Sequence, residues 1–191
     1  MSRTADPNIL VQVEVLFTDG AATPRPLEAA AIALERLSWL GAPVVVVGGE
    51  IGGRALPEDC DARHAWVRSQ LAMPDLRVVA VPDRVPGARA GDPADRSASD
   101  RWRVLAAEWH AGHLITSDPS WVGAARRAGL VVTRVGPRAV SDDPRLPRAD
   151  HEALDLLDAV RRLIASDAFG EPHYDAASVP GMVPDAPAAD R

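Results

Sequence analysis

Hydrophobic and polar positions alternate along the chain with periods that predict strands and helices in turn. Residues 9–17 ("ILVQVEVLF") are rich in β-branched residues and partly alternating, which predicts a first strand. Residues 43–47 are a continuous apolar run, which is typical of a strand covered on both faces. Three further strands are predicted at residues 77–81, 113–116 and 130–135. Helices are predicted at residues 27–40, 61–71, 100–110, 119–128 and 149–166.

Because strand and helix segments alternate five times, the pattern predicts the α/β class, as a three-layer Rossmann-like fold with a mostly parallel five-stranded sheet. Residues 9–167 are predicted to form this single domain. Residues 1–8 are expected to be a flexible N-terminus, and residues 82–99 an exposed loop. Residues 168–191 are rich in Pro, Ala and Asp and are expected to be a C-terminal tail.

Composition and charge limit the classes of partner. The chain has 191 residues, 47% of them hydrophobic, and a formal net charge of -6 without a basic block. An acidic chain of this kind gives no electrostatic reason to expect nucleic acid as a partner. The single cysteine, Cys60, excludes an internal disulfide and a multi-cysteine zinc site. Since no signal peptide or membrane-spanning apolar stretch is visible, a cytoplasmic protein without a membrane partner is expected.

The run "VVVVGGEIGG" at residues 44–53 invites comparison with a dinucleotide-binding loop. That fingerprint needs a glycine at the middle position of G-x-G-x-x-G, where the pyrophosphate approaches the backbone. Counting from Gly48, the middle position is Glu50, whose negative charge opposes a phosphate. The run also follows the second predicted strand, not the first. We therefore expect no dinucleotide cofactor, and the glycines are interpreted as a permissive loop.

Two aspartates follow predicted strands at the edge where parallel sheets bind ligands. Asp19 follows the first strand and Asp118 the fourth, with Gly48 and Gly49 after the strand between them. Two carboxylates at one edge suit a hard divalent cation such as Mg²⁺, or general acid–base chemistry. Alternatively, both are turn or helix N-cap residues, because Asp118 precedes Pro119 and a predicted helix. The sequence leaves both interpretations open.

Residues 10–136 resemble the haloacid dehalogenase (HAD) superfamily, whose members are mostly phosphohydrolases. "VLFTDGAAT" resembles the first motif, a hydrophobic strand followed by D-x-D-G-T. "LEAAAIALERLSWLGAPVVVVGG" resembles the helix and second strand, which carries a Thr or Ser at its end. "SDPSWVGAARRAGLVVTRVG" resembles the fourth motif with its helix and following strand. The resemblance implies a compact, cap-poor HAD-like fold.

The resemblance also implies a changed nucleophile. In the family the first Asp of D-x-D is phosphorylated during catalysis. The resemblance places Phe17 at that position and Asp19 at the position of the general acid–base residue. Phenylalanine can neither attack phosphorus nor bind magnesium. Strand alternation places Glu14 on the opposite face from Phe17, so Glu14 is not expected to replace the nucleophile.

The phosphate-binding positions depart from the family as well. At Gly48 the family's hydroxyl is replaced by backbone N–H groups alone. The family's lysine is absent because the chain has none, and Arg103 or Arg101 is expected to supply a cation near phosphate. The candidate substrate- or phosphate-binding residues are Gly20, Gly48, Gly49 and Arg101.

The acidic positions complete the implied site. Asp118 matches the first acid of the fourth motif, and Val122 stands where a second acid often occurs. The candidate catalytic residues are therefore Asp19, Asp118 and Arg103. The candidate metal ligands are Asp19 and Asp118, for Mg²⁺.

Two functions remain open on these residues. The first is a HAD-like hydrolase fold with a degenerate active site, acting as a non-catalytic or weakly active binding or regulatory protein. The second is an active Mg-dependent phosphohydrolase or phosphotransferase with non-standard residues, so the sequence does not decide whether the chain is an enzyme. The expected partner is a phosphorylated small molecule or a protein. Residues 149–166 are a candidate homo-oligomer contact, although an amphipathic helix also packs on its own sheet.

Overall fold

The computed structural model describes residues 7–18, 24–48, 50–51, 54–56, 59–80, 93–136 and 147–169. The strands are β1 Asn8–Gln12, β2 Pro43–Val47, β3 Glu50–Ile51, β4 Arg54–Ala55, β5 Arg77–Ala80, β6 Ala111–Thr116, β7 Val131–Val135 and β8 His151–Ala153. The helices are α1 Ala30–Leu37, α2 Cys60–Leu71, α3 Pro93–Glu108, α4 Pro119–Arg127 and α5 Leu156–Phe169. A 3-10 turn, Val13–Leu16, follows β1 directly.

The main sheet has six parallel strands in the order β5-β2-β1-β6-β7-β8. Strand β1 lies inside the sheet, with Val11 opposite Val45 on one side and Ile115 on the other. Strands β3 and β4 form a separate antiparallel pair. Because all six strands run in the same direction, their carboxyl ends lie along one edge of the sheet.

Each face of the sheet is covered by helices, which explains the uninterrupted apolar strands. On the α1–α2–α5 face, the side chains of Val11, Val45 and Ile115 pack in one buried cluster with residues of those three helices. On the α3–α4 face, Leu10, Val44 and Leu114 pack in a second cluster with residues of α3 and α4. Successive strand residues alternate between the two clusters, as strand geometry requires. The predicted three-layer α/β fold with a parallel sheet is confirmed.

The predicted number of strands was wrong, because the sheet has six strands and not five. Residues 151–153, predicted as part of a helix, form the edge strand β8 beside β7. The following helix begins only at Leu156, where the N–H of Asp158 donates to Oδ1 of Asp155 at 2.8 Å. The predicted helix 149–166 therefore starts too early, and Leu154, which precedes the observed helix, is 71% exposed. The hydrophobic pattern of a three-residue edge strand is too short to be distinguished from the periodicity of a helix.

The predicted extent of the first strand was also wrong. Strand β1 ends at Gln12, and the apolar residues after it form the 3-10 turn. Phe17 then lies in a short antiparallel bridge with Pro26. Its ring is buried and stacks on Trp66 of α2, with ring centroids 5.6 Å apart. Both a strand and a tightly packed turn bury such residues, so the hydrophobic pattern alone did not show where the strand stopped.

Other predicted segments agree in part. Helix α3 begins at Pro93, inside the segment predicted as a loop, whereas residues 81–92 lie outside the described residues. Residues 1–6 and 170–191 also lie outside them, so the proposed domain boundaries stay a prediction. Several apolar residues of α5 pack in the core on the α1–α2–α5 face. Within the part of the chain that the structure describes, no helix is long and apolar enough to cross a membrane.

Replacing Phe17 tests its place in the core. We expect Phe17→Ala to lower the free energy of unfolding by about 3 kcal/mol, because the substitution leaves a cavity beside Trp66. Trp39→Ala is the control, since Trp39 is 69% exposed and its loss should cost less than about 0.5 kcal/mol. Urea unfolding measures both changes. Equal losses would contradict the burial of Phe17.

Candidate functional site at the carboxyl edge of the sheet

Three neighbouring strands end at the carboxyl edge of the sheet, and each is terminated or followed by polar groups. Gln12 is the last residue of β1, Gly48 follows β2, and residues 116–118 end β6 and lead into α4. The parallel register of β1 with β2 and β6 brings these three strand ends side by side. This is the position where open α/β sheets bind ligands.

The side-chain oxygen of Gln12 is the centre of this cluster. Its Oε1 accepts hydrogen bonds from the N–H groups of Ser117 at 2.8 Å and Asp118 at 3.2 Å. The hydroxyl of Thr116 donates to the same oxygen, and Thr116 Oγ1 accepts from the N–H of Asp118 at 3.0 Å. Gln12 is 3% exposed and Thr116 is fully buried. These bonds join the end of β1 to the β6–α4 turn, defined here as residues 116–118.

The hydrogen bonds also fix which way the Gln12 amide points. Backbone N–H groups can only donate, so the atom that faces Ser117 and Asp118 has to be the oxygen. The amide nitrogen, Nε2, therefore points away from the β6–α4 turn. Among the described residues, every hydrogen bond found for the Gln12 side chain uses Oε1. The end of the central strand thus carries a neutral group with an N–H donor.

Asp118 begins helix α4. Its Oδ1 accepts from the N–H of Ser120 at 2.8 Å, and Pro119 occupies the first turn of the helix. The N-cap interpretation of Asp118 is confirmed by this geometry. A negatively charged carboxylate at this end of the helix also interacts favourably with the positive end of the helix dipole. The catalytic and metal-binding roles of Asp118 stay predictions.

The structure describes only some of the remaining candidate residues. Asp19, Gly20 and Gly49 lie outside the described residues. Arg103 is exposed on α3, and its Nη1 lies 2.6 Å from Oδ1 of Asp100 on the same helix. Arg101 is also exposed on α3. Gly48 follows β2 and Asp118 follows β6, so the two lie at the same edge of the sheet on either side of β1. The roles proposed for these residues and for the arginines stay predictions.

Comparisons with known proteins bear on the fold. No protein-family model and no curated protein matches the chain. Among solved structures, D,D-heptose 1,7-bisphosphate phosphatase from B. bronchiseptica, complexed with magnesium and phosphate, is 15% identical with a TM-score of 0.58. The match covers 84% of this chain and 99% of that one. The corresponding phosphatase from Burkholderia thailandensis is 14% identical with a TM-score of 0.57, over 83% and 99% of the two chains.

The chain has a HAD-like fold. An L-2-haloacid dehalogenase from Xanthobacter autotrophicus is also similar, at 16% identity and a TM-score of 0.49, over 74% of this chain and 62% of that one. At these identities the likeness concerns the fold alone. What the site of this HAD-like chain can do has to be argued from its own residues.

The end of β1 offers a second position to compare with the first motif. That motif places its first Asp directly after the hydrophobic strand, and in this chain the residue at the end of β1 is Gln12. Glu14 lies two residues later, on the 3-10 turn, with its Oε2 atom buried. The spacing Gln12-x-Glu14 thus reproduces the spacing D-x-D. Phe17 packs in the core five residues beyond the end of β1, and its assignment to the nucleophile position stays a prediction.

Sequence reasoning missed Gln12 and dismissed Glu14. The available signal was the pair of polar residues inside the apolar run "ILVQVEVLF". The expectation that Glu14 lies on the strand face opposite Phe17 also fails, because neither residue belongs to β1. In the fourth motif, Val122 is fully buried in the apolar cluster of the α3–α4 face, where it packs with Leu114 and Trp121.

The residues at the strand end do not fit the magnesium that the fold family implies. The Gln12 amide is neutral, and its oxygen already accepts bonds from the β6–α4 turn. Mg²⁺ prefers carboxylate oxygens in near-ideal octahedral geometry. Within the described ranges, no group of three or more His, Cys, Asp or Glu side chains could hold a metal ion.

Substitutions of Gln12 test the hydrogen bonds at the strand end. Gln12→Leu removes the acceptor of the Thr116 hydroxyl and of the Ser117 and Asp118 N–H groups, although the Asp118 N–H keeps Thr116 Oγ1 as an acceptor. We therefore expect the free energy of unfolding to fall by about 2 to 4 kcal/mol. Gln12→Glu keeps an acceptor oxygen in the same place and should be much less destabilised. Thermal and urea unfolding of both variants measure the difference. Similar losses in the two variants would show that the oxygen is not the group that matters.

Helix α2 carries a titratable residue, His64, whose side chain is partly buried. His64 shares the core-facing stripe of this helix with Val67 and Leu71, and its Nε2 atom is buried. Burial is the main cause that lowers the pKa of His64 below its ordinary value of 6.5, and the charge of Arg68 adds to it. The folded protein therefore binds a proton at this imidazole less readily than the unfolded chain does.

The pH dependence of stability follows from His64. Because the unfolded chain binds the proton more tightly, the free energy of unfolding should fall as the pH drops below about 6.5. We expect His64→Gln to flatten this fall. Urea unfolding between neutral and mildly acidic pH measures the slope, with the exposed His151→Gln as control. An unchanged slope in His64→Gln would contradict the assignment.

Proposed function

We propose that this chain is a non-catalytic binding or regulatory protein built on a HAD-like hydrolase fold. The observation that supports the proposal most strongly is the Gln12 amide at the end of the central strand. The family's covalent mechanism needs a carboxylate at that position, because the carboxylate oxygen attacks phosphorus.

The Gln12 amide is a poor nucleophile for two reasons. It carries no negative charge, and amide conjugation withdraws electron density from the nitrogen. Its oxygen also accepts three hydrogen bonds from the β6–α4 turn, which lower the reactivity of its lone pairs. Attack by this group would have to break bonds that hold two elements of the fold together. The position is therefore better suited to holding structure and ligand than to accepting a phosphoryl group.

The charges near the site support the same proposal. Phosphoryl transfer depends on cations that stabilise the charge on the transferred group. The chain has no lysine, and the exposed Arg103 is paired with Asp100 on its own helix. The strand end that would face a metal ion carries an amide instead of an acid. We propose on these grounds that neither Mg²⁺ nor a phosphoryl group is bound in the manner of a HAD phosphatase.

A Mg-dependent phosphohydrolase with non-standard residues is the second candidate. Two acids favour it, since Glu14 follows β1 and Asp118 follows β6. One phosphatase with a similar fold was crystallised with magnesium and phosphate. In this alternative, one of the two acids would act as acid–base residue while a water molecule replaces the covalent nucleophile.

Hydrolysis of p-nitrophenyl phosphate in the presence of Mg²⁺ tests the proposal. We expect no turnover above the buffer rate for the wild-type chain, and the same result for Asp118→Asn. Mg-dependent turnover that is abolished in Asp118→Asn would overturn the proposal and support the second candidate.

A matched pair of acid substitutions tests the position of the motif. We expect Gln12→Asp to make the melting temperature rise on addition of Mg²⁺, because it places a carboxylate at the end of β1, at the sheet edge where Glu14 follows β1 and Asp118 follows β6. Phe17→Asp should instead destabilise the fold without any response to Mg²⁺, since it puts a charge beside Trp66. A response of Phe17→Asp alone would show that the nucleophile position is Phe17 after all.

A further inference from the structure

We infer that the chain forms a two-fold symmetric homodimer through the amino edge of the sheet, in which Trp39 of each copy inserts into a largely apolar cavity of the other. This amino-edge cavity has a volume of about 380 Å³ and is lined by Ala42, Pro43 and residues 73–77. The amino edge lies opposite the carboxyl edge that carries Gln12, so the inference is independent of the proposed function. It adds a partner, which is a second copy of this chain.

The inserting group is the side chain of Trp39, in the turn that follows α1. It is 69% exposed, whereas the other four tryptophans of the chain are buried or half-buried. Within the part of the chain that the structure describes, no hydrogen bond is found for its indole N–H group. Tryptophan is enriched among the residues that dominate the binding energy of protein interfaces, because it combines a large apolar ring with a hydrogen-bond donor. Both parts of this side chain are available for a contact.

The turn that carries Trp39 is held firmly. The N–H group of Trp39 donates to the carbonyl oxygen of Arg36 at 3.2 Å, and that of Gly41 to the carbonyl oxygen of Leu37 at 3.1 Å. Gly41 also packs closely on the residue before β1, because a Cβ atom at this position would lie 2.2 Å from the carbonyl oxygen of Pro7. The indole is therefore presented from a fixed backbone, so less conformational freedom is lost when it is bound.

The amino-edge cavity lies between the turns that lead into β2 and β5, two strands that pair in parallel. Its apolar lining includes Pro43, Met73 and Leu76. Its wall is fixed as well, since Nε of Arg68 donates to the carbonyl oxygen of Leu76 at 2.8 Å. A volume of about 380 Å³ lies at the lower end of the range for small-molecule pockets, which suits one large aromatic side chain.

Trp39 and the cavity lie close together on one surface. Trp39 precedes Ala42, a cavity residue, by three positions, so their Cα atoms are at most about 11 Å apart. Trp39 does not line the cavity of its own chain. A surface that carries both an inserting group and a receiving cavity is complementary to a second copy of itself, because a two-fold rotation places each Trp39 opposite the other cavity. An unrelated partner would match only one of the two features.

The charged groups at the cavity suit the same contact. Asp75 and Arg77 are both exposed cavity residues, and no ion pair or hydrogen bond of their side chains is found within the described ranges. The Asp75 carboxylate can accept a hydrogen bond from the inserted indole N–H group, which only donates. Because Asp75 and Arg77 carry opposite charges, the cavity rim is neutral overall, and two copies meet without electrostatic repulsion.

Sedimentation velocity of the full chain over a dilution series tests the inference. We expect a reversible monomer–dimer equilibrium with a Kd of about 10 to 100 μM, because one inserted side chain per copy gives a small interface. Trp39→Ala should weaken the association at least about tenfold, and its circular dichroism should match the wild type because the side chain is exposed. Leu154→Ala is the matched control, since it also removes an exposed apolar side chain, from the alternative contact at residues 149–166. It should associate like the wild type.

Two further variants test the indole N–H group and its acceptor. Asp75→Lys replaces the carboxylate at the cavity by a cation, and we expect the association to weaken about tenfold. Trp39→Phe keeps an aromatic ring but removes the N–H group, so a loss of about threefold is expected. Wild-type association in both variants would show that this hydrogen bond does not form.

An isotope-edited NOE measurement on a mixture of labelled and unlabelled chains locates the contact. It should connect the ring protons of Trp39 in one copy with the methyl group of Met73 in the other. An NOE from Trp39 only to groups outside the amino-edge cavity would refute the reciprocal insertion.

Other outcomes rule out the homodimer itself. They are sedimentation as a monomer at every concentration, wild-type association in Trp39→Ala, and loss of the dimer in Leu154→Ala, which would place the contact at residues 149–166. Free indole is the probe for a different occupant. Shifts of the Met73 and Asp75 signals on addition of indole to a chain that stays monomeric would show that the cavity receives another molecule's aromatic group, which also contradicts the homodimer.

Discussion

Hydrogen-bond donors of three successive residues, Thr116, Ser117 and Asp118, converge on one side-chain oxygen, Oε1 of Gln12, at the end of the central strand. They come from the β6–α4 turn, so this contact sets the position of the last residue of β6 and the first residues of α4. Because Gln12 and Thr116 are both buried, these groups have no water to replace a lost partner. The position of the β6–α4 turn relative to β1 therefore depends on the side chain of Gln12.

Under the proposed function, the same contact explains how a HAD-like fold can persist without phosphoryl-transfer chemistry. We propose that residue 12 serves as a structural acceptor at the strand end where the family has its nucleophile. An amide keeps the first property, since its oxygen receives the same donors, and lacks the second, since it has no charge. The fold is held by the parallel sheet and its two apolar clusters, which do not depend on the charge at position 12. A change at this one residue can thus remove catalysis while the fold keeps its stability.

The sequence was sufficient to predict the bounds of the elements whose hydrophobic pattern is long and unambiguous. Strand β2, with four consecutive valines, and helices α2 and α4 begin and end within about two residues of their predicted bounds. It failed where apolar residues continue past the end of an element. Val13, Val15 and Phe17 are buried by a turn and a bridge, and that packing arises from contacts distant in sequence such as Trp66. The site was missed for this reason, since finding Gln12 required knowing where β1 ends.

The hydrogen bond from Ser117 to Gln12 can be observed directly by NMR, through the scalar coupling between the Ser117 amide nitrogen and the side-chain carbonyl carbon of Gln12. A cross-peak that connects these two nuclei is expected in the wild-type chain, because their hydrogen bond is 2.8 Å long and its acceptor Gln12 is buried. A Ser117 amide that is coupled to a different carbonyl, or that exchanges with solvent as fast as an exposed amide, would contradict it.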